Sequence, residues 1–147
     1  MEIERKFLVN NLPEDLEQYP STMIEQGYLN GDPVIRVRRD GDQYYMTYKG
    51  HGFIAREEYN LPLTESAYRH LLPKADGRII TKRRYRIPFG KYLIELDLFQ
   101  GAFEGLVLAE VEFDSLEEAD AFLPPAWFSE DVSRDPRYHN SVMALGS

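Results

Sequence analysis

The chain contains no cysteine. That excludes disulfides, thiolate catalysis and thiolate-ligated zinc. It also lacks any apolar run near the ~18 residues that a membrane helix needs, and its N-terminus has no basic stretch leading into an apolar one. No membrane span and no signal peptide are therefore expected, and a cytoplasmic location is. Cations are in the minority, with 17 Lys and Arg against 25 Asp and Glu, for a net charge of −8. An acidic chain is a poor general binder of nucleic acid or of anionic membrane, so neither is expected as a partner. An anionic ligand stays open only if the few cations are gathered in one place.

Apolar material is ample. Hydrophobic residues make up 43% and aromatic residues 13% of the 147, enough for one domain over 1–147 with its own core. The pattern is of short alternating strands separated by turn signals. Strands are expected at 2–9, 22–30, 33–40, 43–50, 53–61, 78–88, 91–100 and 105–113. "NGD" (30–32) and "DGD" (40–42) read as hairpin turns, because Asn, Asp and Gly tolerate positive φ. "LTESAYRHLL" reads as a helix capped by Thr64, "DSLEEADAFL" as a helix capped by Asp114 or Ser115 and stopped at Pro124-Pro125, and "DPRYHNSVMAL" as a short helix after Pro136. A weaker helical signal lies at 13–18. Three helices are then available to cover apolar sheet faces.

The charges carry the functional signal. In a strand, alternate residues share a face. The opening "MEIERKFLV" thus places Glu2, Glu4 and Lys6 on one side. The same period gives Gln26 with Tyr28, Arg36 with Arg38, Lys49 with Tyr45 and Thr47, Arg56 with Glu58, Lys82 with Arg84, Glu95 with Asp97, and Glu110 with Glu112. A polar strand face ordinarily looks at water. Here the signs are segregated: strands three to six carry mostly Arg and Lys, whereas strands one, seven and eight carry mostly Glu and Asp. A face tuned for solubility would mix them. Eight antiparallel strands can close into a barrel by joining the last to the first. That closure sets Glu110 and Glu112 beside Glu2 and Glu4. The four mutually repelling carboxylates suit a hard divalent cation, Mg²⁺ or Mn²⁺. Lys6, Arg36, Arg38, Lys49, Arg56, Lys82 and Arg84 would stand opposite, seven of the 17 cations aimed at one bore. Guanidinium forks match phosphate oxygens. The expected fold is therefore a mainly β, eight-stranded antiparallel closed barrel, a tunnel with a charged interior and a few covering helices.

At these residues the sequence resembles the CYTH domain, or triphosphate tunnel metalloenzyme, family. Glu2-Ile-Glu4-Arg-Lys6 matches the family's ExExK mark, followed in order by "QGYL" (26–29), "RVRR" (36–39), "TYKG" (47–50), "REEY" (56–59), "KRRY" (82–85), "ELD" (95–97), "AEVEF" (109–113) and "DVSRDPRYHNSVMA". The resemblance implies a tunnel that binds a triphosphate with divalent metal. It implies metal at Glu2, Glu4, Glu110 and Glu112, with Glu95 or Asp97 assisting, and phosphate on the seven basic residues. Lys6 and Tyr28 would sit near the reacting phosphate, with Glu58 in support.

Within that family the expected activity is hydrolysis of a small inorganic or organic triphosphate by metal-activated water. The alternatives are a class IV-type adenylate cyclase, a thiamine triphosphatase and a non-catalytic polyphosphate or nucleotide sensor. A monomer or homodimer is expected. "GHGFIA" (50–55) formally fits a dinucleotide fingerprint but lies between strands, so it carries no such function. His51, His70 and His139 read as turn or surface residues. Arg5, Arg39, Arg83 and Arg86 read as exterior, with Glu57 pointing away from Glu58, and Trp127 and Phe128 read as packing residues.

Overall fold

The structure is a computed structural model and describes residues 1–146. Its strands are β1 (Glu2–Val9), β2 (Ser21–Gly31), β3 (Val34–Asp40), β4 (Gln43–Lys49), β5 (Ala55–Arg56), β6 (Glu58–Pro62), β7 (Asp76–Phe89), β8 (Tyr92–Phe99), β9 (Val107–Glu112) and β10 (Phe128–Asp131). Its α-helices are α1 (Glu65–Leu71), α2 (Leu116–Ala121) and α3 (Asn140–Leu145). All pairings are antiparallel, in the order β10-β1-β9-β8-β7-β2-β3-β4-β6, and β5 returns to β1. Because β5 and β6 are one stretch interrupted at Glu57, this return closes the sheet into an eight-walled, nearly closed barrel.

The strand count departs from eight in two ways. The expected strand 53–61 is broken into β5 and β6, since its first half pairs with β1 and its second with β4. β10 is unforeseen: only Phe128 of its four residues is buried, which leaves little pattern to read. The joining of last to first holds, with Glu4 opposite Glu112 and Lys6 opposite Glu110 across β1 and β9. The other edge of β1 is divided. Glu2 and Ile3 pair with β5, while Phe7 and Val9 pair with β10.

Local chemistry sets the turns and caps. Asp40 pairs with Gln43 across a two-residue turn in which Gly41 takes φ +61°, a left-handed conformation that glycine adopts without steric cost. Thr64 Oγ1 accepts the Ala67 N–H at the start of α1, and Ser115 Oγ accepts the Glu118 N–H at the start of α2. The helical signal at 13–18 shrinks to a 3₁₀ turn, Leu16–Gln18, with no buried residue to anchor it.

Apolar residues gather in two places. The first cluster is outside the barrel wall and joins Phe7, Ile94, Leu96, Val111, Phe113, Phe122 and Phe128 beneath α2 and β10. Trp127 packs against it, as expected. Arg5 lies on this outer side, over the Phe7 ring, and donates to the Ala119 carbonyl. The second cluster joins Tyr28, Val34, Ile80, Phe99 and Leu108 with Val132 and Ala144. These strand residues are in phase with the charged ones, so they fill one end of the bore rather than coat its outside. α3 therefore does not cover an outer face, as the sequence suggested. It sits across the end of the bore, packed on β2 and β7. A Cβ on Gly77 would lie 2.1 Å from the Ala144 carbonyl oxygen, so only glycine admits α3 this closely. Among the described residues no helix is long and apolar enough to cross a membrane.

Candidate active site

Alternation fixes which side chains enter the bore, and register fixes their neighbours. Glu2 lies opposite Arg56, Tyr28 opposite Arg36, Gln26 opposite Arg38, Arg84 opposite Asp97, and Glu95 opposite Glu110. One cavity results. It is lined by all seven expected cations, Lys6, Arg36, Arg38, Lys49, Arg56, Lys82 and Arg84. Glu2, Glu4, Glu58, Glu95, Glu110 and Tyr28 line it as well. Six of the cations are buried, with Arg56 half-buried.

Buried charges are tolerable only when paired and hydrogen-bonded. Lys49 meets Glu2 at 2.9 Å and Glu58 at 3.5 Å. Arg84 grips Asp97 through two bonds of 2.8 and 2.9 Å and reaches Glu95 at 3.1 Å. Lys82 meets Asp97 at 2.8 Å and Asn140 Oδ1 at 2.8 Å. Glu110 stands 3.7 Å from Lys6 and 4.0 Å from Arg84. The exception is informative. Arg36 donates through Nη2 to Thr47 Oγ1 at 2.9 Å, yet its Nε is the one buried side-chain polar atom without a partner among the described residues. An unpaired buried donor costs about 1–3 kcal/mol, which an anion at this position would relieve.

Electrostatics divide the groups. Burial, aided by the neighbouring Arg38, pushes Arg36 below the ordinary arginine range. Burial also drives the Lys82 ammonium down, to about 7. Asp97 opposes that shift, but its charge is already shared with Arg84, and Arg84 and Arg38 repel Lys82. Glu110 resists burial because Lys6, Arg84 and Lys82 hold it well below the usual carboxylate range. Glu4 goes the other way. Burial first, then the Glu110 and Glu2 charges, push it well above that range.

The expected carboxylates do not all stand alike. Glu2, Glu4 and Glu110 line the cavity, whereas Glu112 is exposed at the rim beside Glu4's wall. Asp97 has both oxygens engaged by Arg84 and Lys82 and does not line the cavity. Among the described residues no three His, Cys, Asp or Glu side chains converge as a metal-holding group; Glu2 and Glu110 are turned toward cations instead. The donor chemistry nevertheless fits a hard divalent ion. These are oxygen donors, and Glu4 carries a charge penalty that a cation would lift.

Three further positions differ from the sequence expectation. His139 is no surface residue: it is half-buried, lines the cavity and stacks on Phe53 at 5.6 Å between ring centres. Burial, with Lys6 and Arg56 nearby, lowers its imidazole to about 4. Arg86 is in phase with Lys82 and Arg84 and bonds Thr22 and Asp40 at 2.9 and 2.8 Å. It belongs to the bore face at the far rim, not to the exterior. Asn140, on α3, lines the cavity although nothing in the strand pattern points to it. A lone Asn near the C-terminus carries no periodic signal linking it to Lys82.

With the geometry in place, three comparisons agree. A family model described as CYTH domain matches residues 1–136. An inorganic triphosphatase of Nitrosomonas europaea is 43% identical, covering 98% of this chain and 97% of its own. An inorganic triphosphatase of Acetivibrio thermocellus is 35% identical, covering 95% and 90%. The crystal structure of an inorganic triphosphatase, 39% identical, superposes with a TM-score of 0.73 over 99% of this chain and 95% of that one.

Proposed function

The chain belongs to the CYTH domain family, and from that premise we propose that it is a divalent-metal-dependent inorganic triphosphatase. The observation that carries this reading is the gathering of seven cations around one cavity in a chain whose net charge is −8. Buried carboxylates answer several of these charges, but Arg36 Nε is left without a partner, and burial of each cation costs desolvation. A polyphosphate returns that cost through several charge-assisted hydrogen bonds. The names of the two relatives supply the substrate class.

In this reading Arg36, Arg38, Lys49, Arg56, Lys82 and Arg84 bind and orient the phosphate chain. Glu2, Glu4, Glu110 and Glu112 hold Mg²⁺ or Mn²⁺, with Glu95 and Asp97 behind them. Asp97 acts only indirectly, by keeping Arg84 and Lys82 in place, and Glu58 does the same for Lys49. A divalent cation at the carboxylates supplies neutralisation of phosphate charge and acidification of water. Lys6, beside Glu110, and Tyr28, opposite Arg36, are the groups nearest the reacting phosphate. Phosphoryl transfer asks mainly for such positioning and charge stabilisation.

The test is a substrate panel of tripolyphosphate, thiamine triphosphate and ATP, each with Mg²⁺, with Mn²⁺ and with chelator. Metal-dependent orthophosphate release, fastest from tripolyphosphate, is expected. Cyclic AMP with pyrophosphate from ATP, or tight binding without turnover, would overturn the reading.

A further inference from the structure

Beneath the cations lies a small network of neutral amides. Gln26 is fully buried on β2, two residues from Tyr28. Its Oε1 accepts the Arg38 Nε–H at 2.7 Å. A guanidinium nitrogen can only donate, so this contact fixes which end of the amide is oxygen. The NH₂ end must face the other way. There it donates to Tyr28 Oη at 3.0 Å and to Asn140 Oδ1 at 3.2 Å. Asn140 is fixed in the same manner, because its Oδ1 also accepts from Lys82 Nζ at 2.8 Å.

The consequence falls on Tyr28. Its hydroxyl oxygen accepts a hydrogen bond from the Gln26 Nε2–H, so its own O–H must point elsewhere. That O–H finds no protein acceptor among the described residues, and Tyr28 lines the cavity. Across the β2–β3 ladder its register partner is Arg36, whose Nε is likewise unmatched. Two donors therefore stand together on neighbouring strands at the cavity wall.

We propose that Gln26 is a positioning residue for triphosphate cleavage: with Asn140 behind it, it fixes Tyr28 as a hydrogen-bond donor to the phosphate chain, not as a base toward water. The inference rests on the triphosphatase reading and adds a role to it. In the step itself, the oxygen of water forms a new bond to the terminal phosphorus. The bridging P–O bond breaks, and its electron pair leaves with pyrophosphate. One proton of the water ends on orthophosphate and the other in solvent. Tyr28 keeps its proton throughout and stabilises the oxygen on which charge grows.

The test is a double-mutant cycle on Gln26→Glu and Tyr28→Phe. Glutamate keeps the oxygen that Arg38 needs, but it replaces the NH₂ with an acceptor. The Tyr28 O–H then turns toward it and out of the cavity. Gln26→Glu is expected to lower kcat roughly tenfold, the scale of one hydrogen bond, with a smaller change in KM. In the Tyr28→Phe background the same substitution should cost clearly less, the remainder coming from the lost Asn140 contact and the added charge. Equal losses in both backgrounds, or unaltered kcat in Gln26→Glu, would overturn the proposal. If Gln26→Glu does not fold, judged by circular dichroism, Gln26→Met replaces it in the same cycle. If the unaltered protein binds tripolyphosphate without cleaving it, the triphosphatase reading falls. The cycle is then run on Kd by calorimetry, where coupled losses uphold the donor role and independent losses overturn it.

Discussion

One step of two residues along the same strands changes what the bore contains. Lys6 gives way to Leu8, Arg36 to Val34, Lys82 to Ile80, Asp97 to Phe99 and Glu110 to Leu108. The pairs share a face and nearly a position, yet one level holds charge and the other is dry. The dry level joins Tyr28, Val132 and Ala144 in one apolar cluster. It supplies ordinary burial energy, about 1.5–3 kcal/mol for each fully buried large side chain. The charged level supplies little of that, since its ion pairs barely repay their desolvation. Apolar burial and the charged cavity are thus separated by height within one barrel, and the apolar floor limits how far water can screen the charges above it.

Moving charge to the dry level should do the most damage. Leu108→Glu sets a carboxylate beside Asp97 with no free cation, and should cost about 4 kcal/mol in urea unfolding. A loss below about 1 kcal/mol would mean the floor is wet.

Next comes Glu4→Gln, which should lower tripolyphosphate turnover at least about 100-fold, by weakening metal-assisted charge stabilisation. The same change should raise the melting temperature of metal-free protein at neutral pH. The sign follows from Glu4's raised pKa. The fold favours the protonated form, so this contribution is full below the ordinary carboxylate range and fades as pH climbs through the raised value. Glu4's own contribution should therefore raise the melting temperature of metal-free wild type as pH drops from neutral toward the carboxylate range, against the loss that His139's lowered imidazole brings to wild type and variant alike over the same window. The glutamine variant should show less of this dependence. A melting temperature lowered by the substitution would contradict the repulsive surroundings described for Glu4.

Gly77→Ala should cost about 2 kcal/mol, through a left-handed backbone and the clash with α3, read as a lower melting temperature. An unchanged value would mean that α3 is not seated on the floor.

The smallest effect is a pH limb. Lys82 is depressed to about 7, so the free protein loses this cation as pH rises past neutrality. Its stability contribution moves oppositely, rising between about 7 and the unfolded lysine value of roughly 10.4, because the unfolded chain binds the extra proton there. kcat/KM for tripolyphosphate should fall by no more than about tenfold per pH unit on that limb. Lys82→Arg should flatten it. A limb unchanged in that variant would assign it to another group.

Much of this was legible because charge segregation is rare in exposed sheets. Alternation placed every cation of the charged level on the inner face, and the carboxylate strands met as closure demanded. The dry level was not legible. Ile80 and Leu108 look the same in sequence whether they face inward or outward, and only charge marked the inner face. For that reason the sequence pattern places α3 on the outside. Asn140 and His139 were hidden for a related reason. They reach the cavity from the 133–146 segment, whose contacts with β1, β2 and β7 join residues far apart in the chain. Arg86 was in phase with Arg84 and could have been placed by the same two-residue rule that placed its neighbours.

A hoop is only as stiff as its shortest join. Every other junction around this ring holds at least five residue pairs. The join between β1 and β5 holds two, supplemented by one backbone bond from Glu4 to Ile54. Girth is therefore most easily adjusted at this clasp, and both of its facing side chains, Glu2 and Arg56, belong to the ligand cavity. In the proposed role a polyphosphate would lie against the ring's fewest backbone pairings, while the aromatic packing backs the other half of β1.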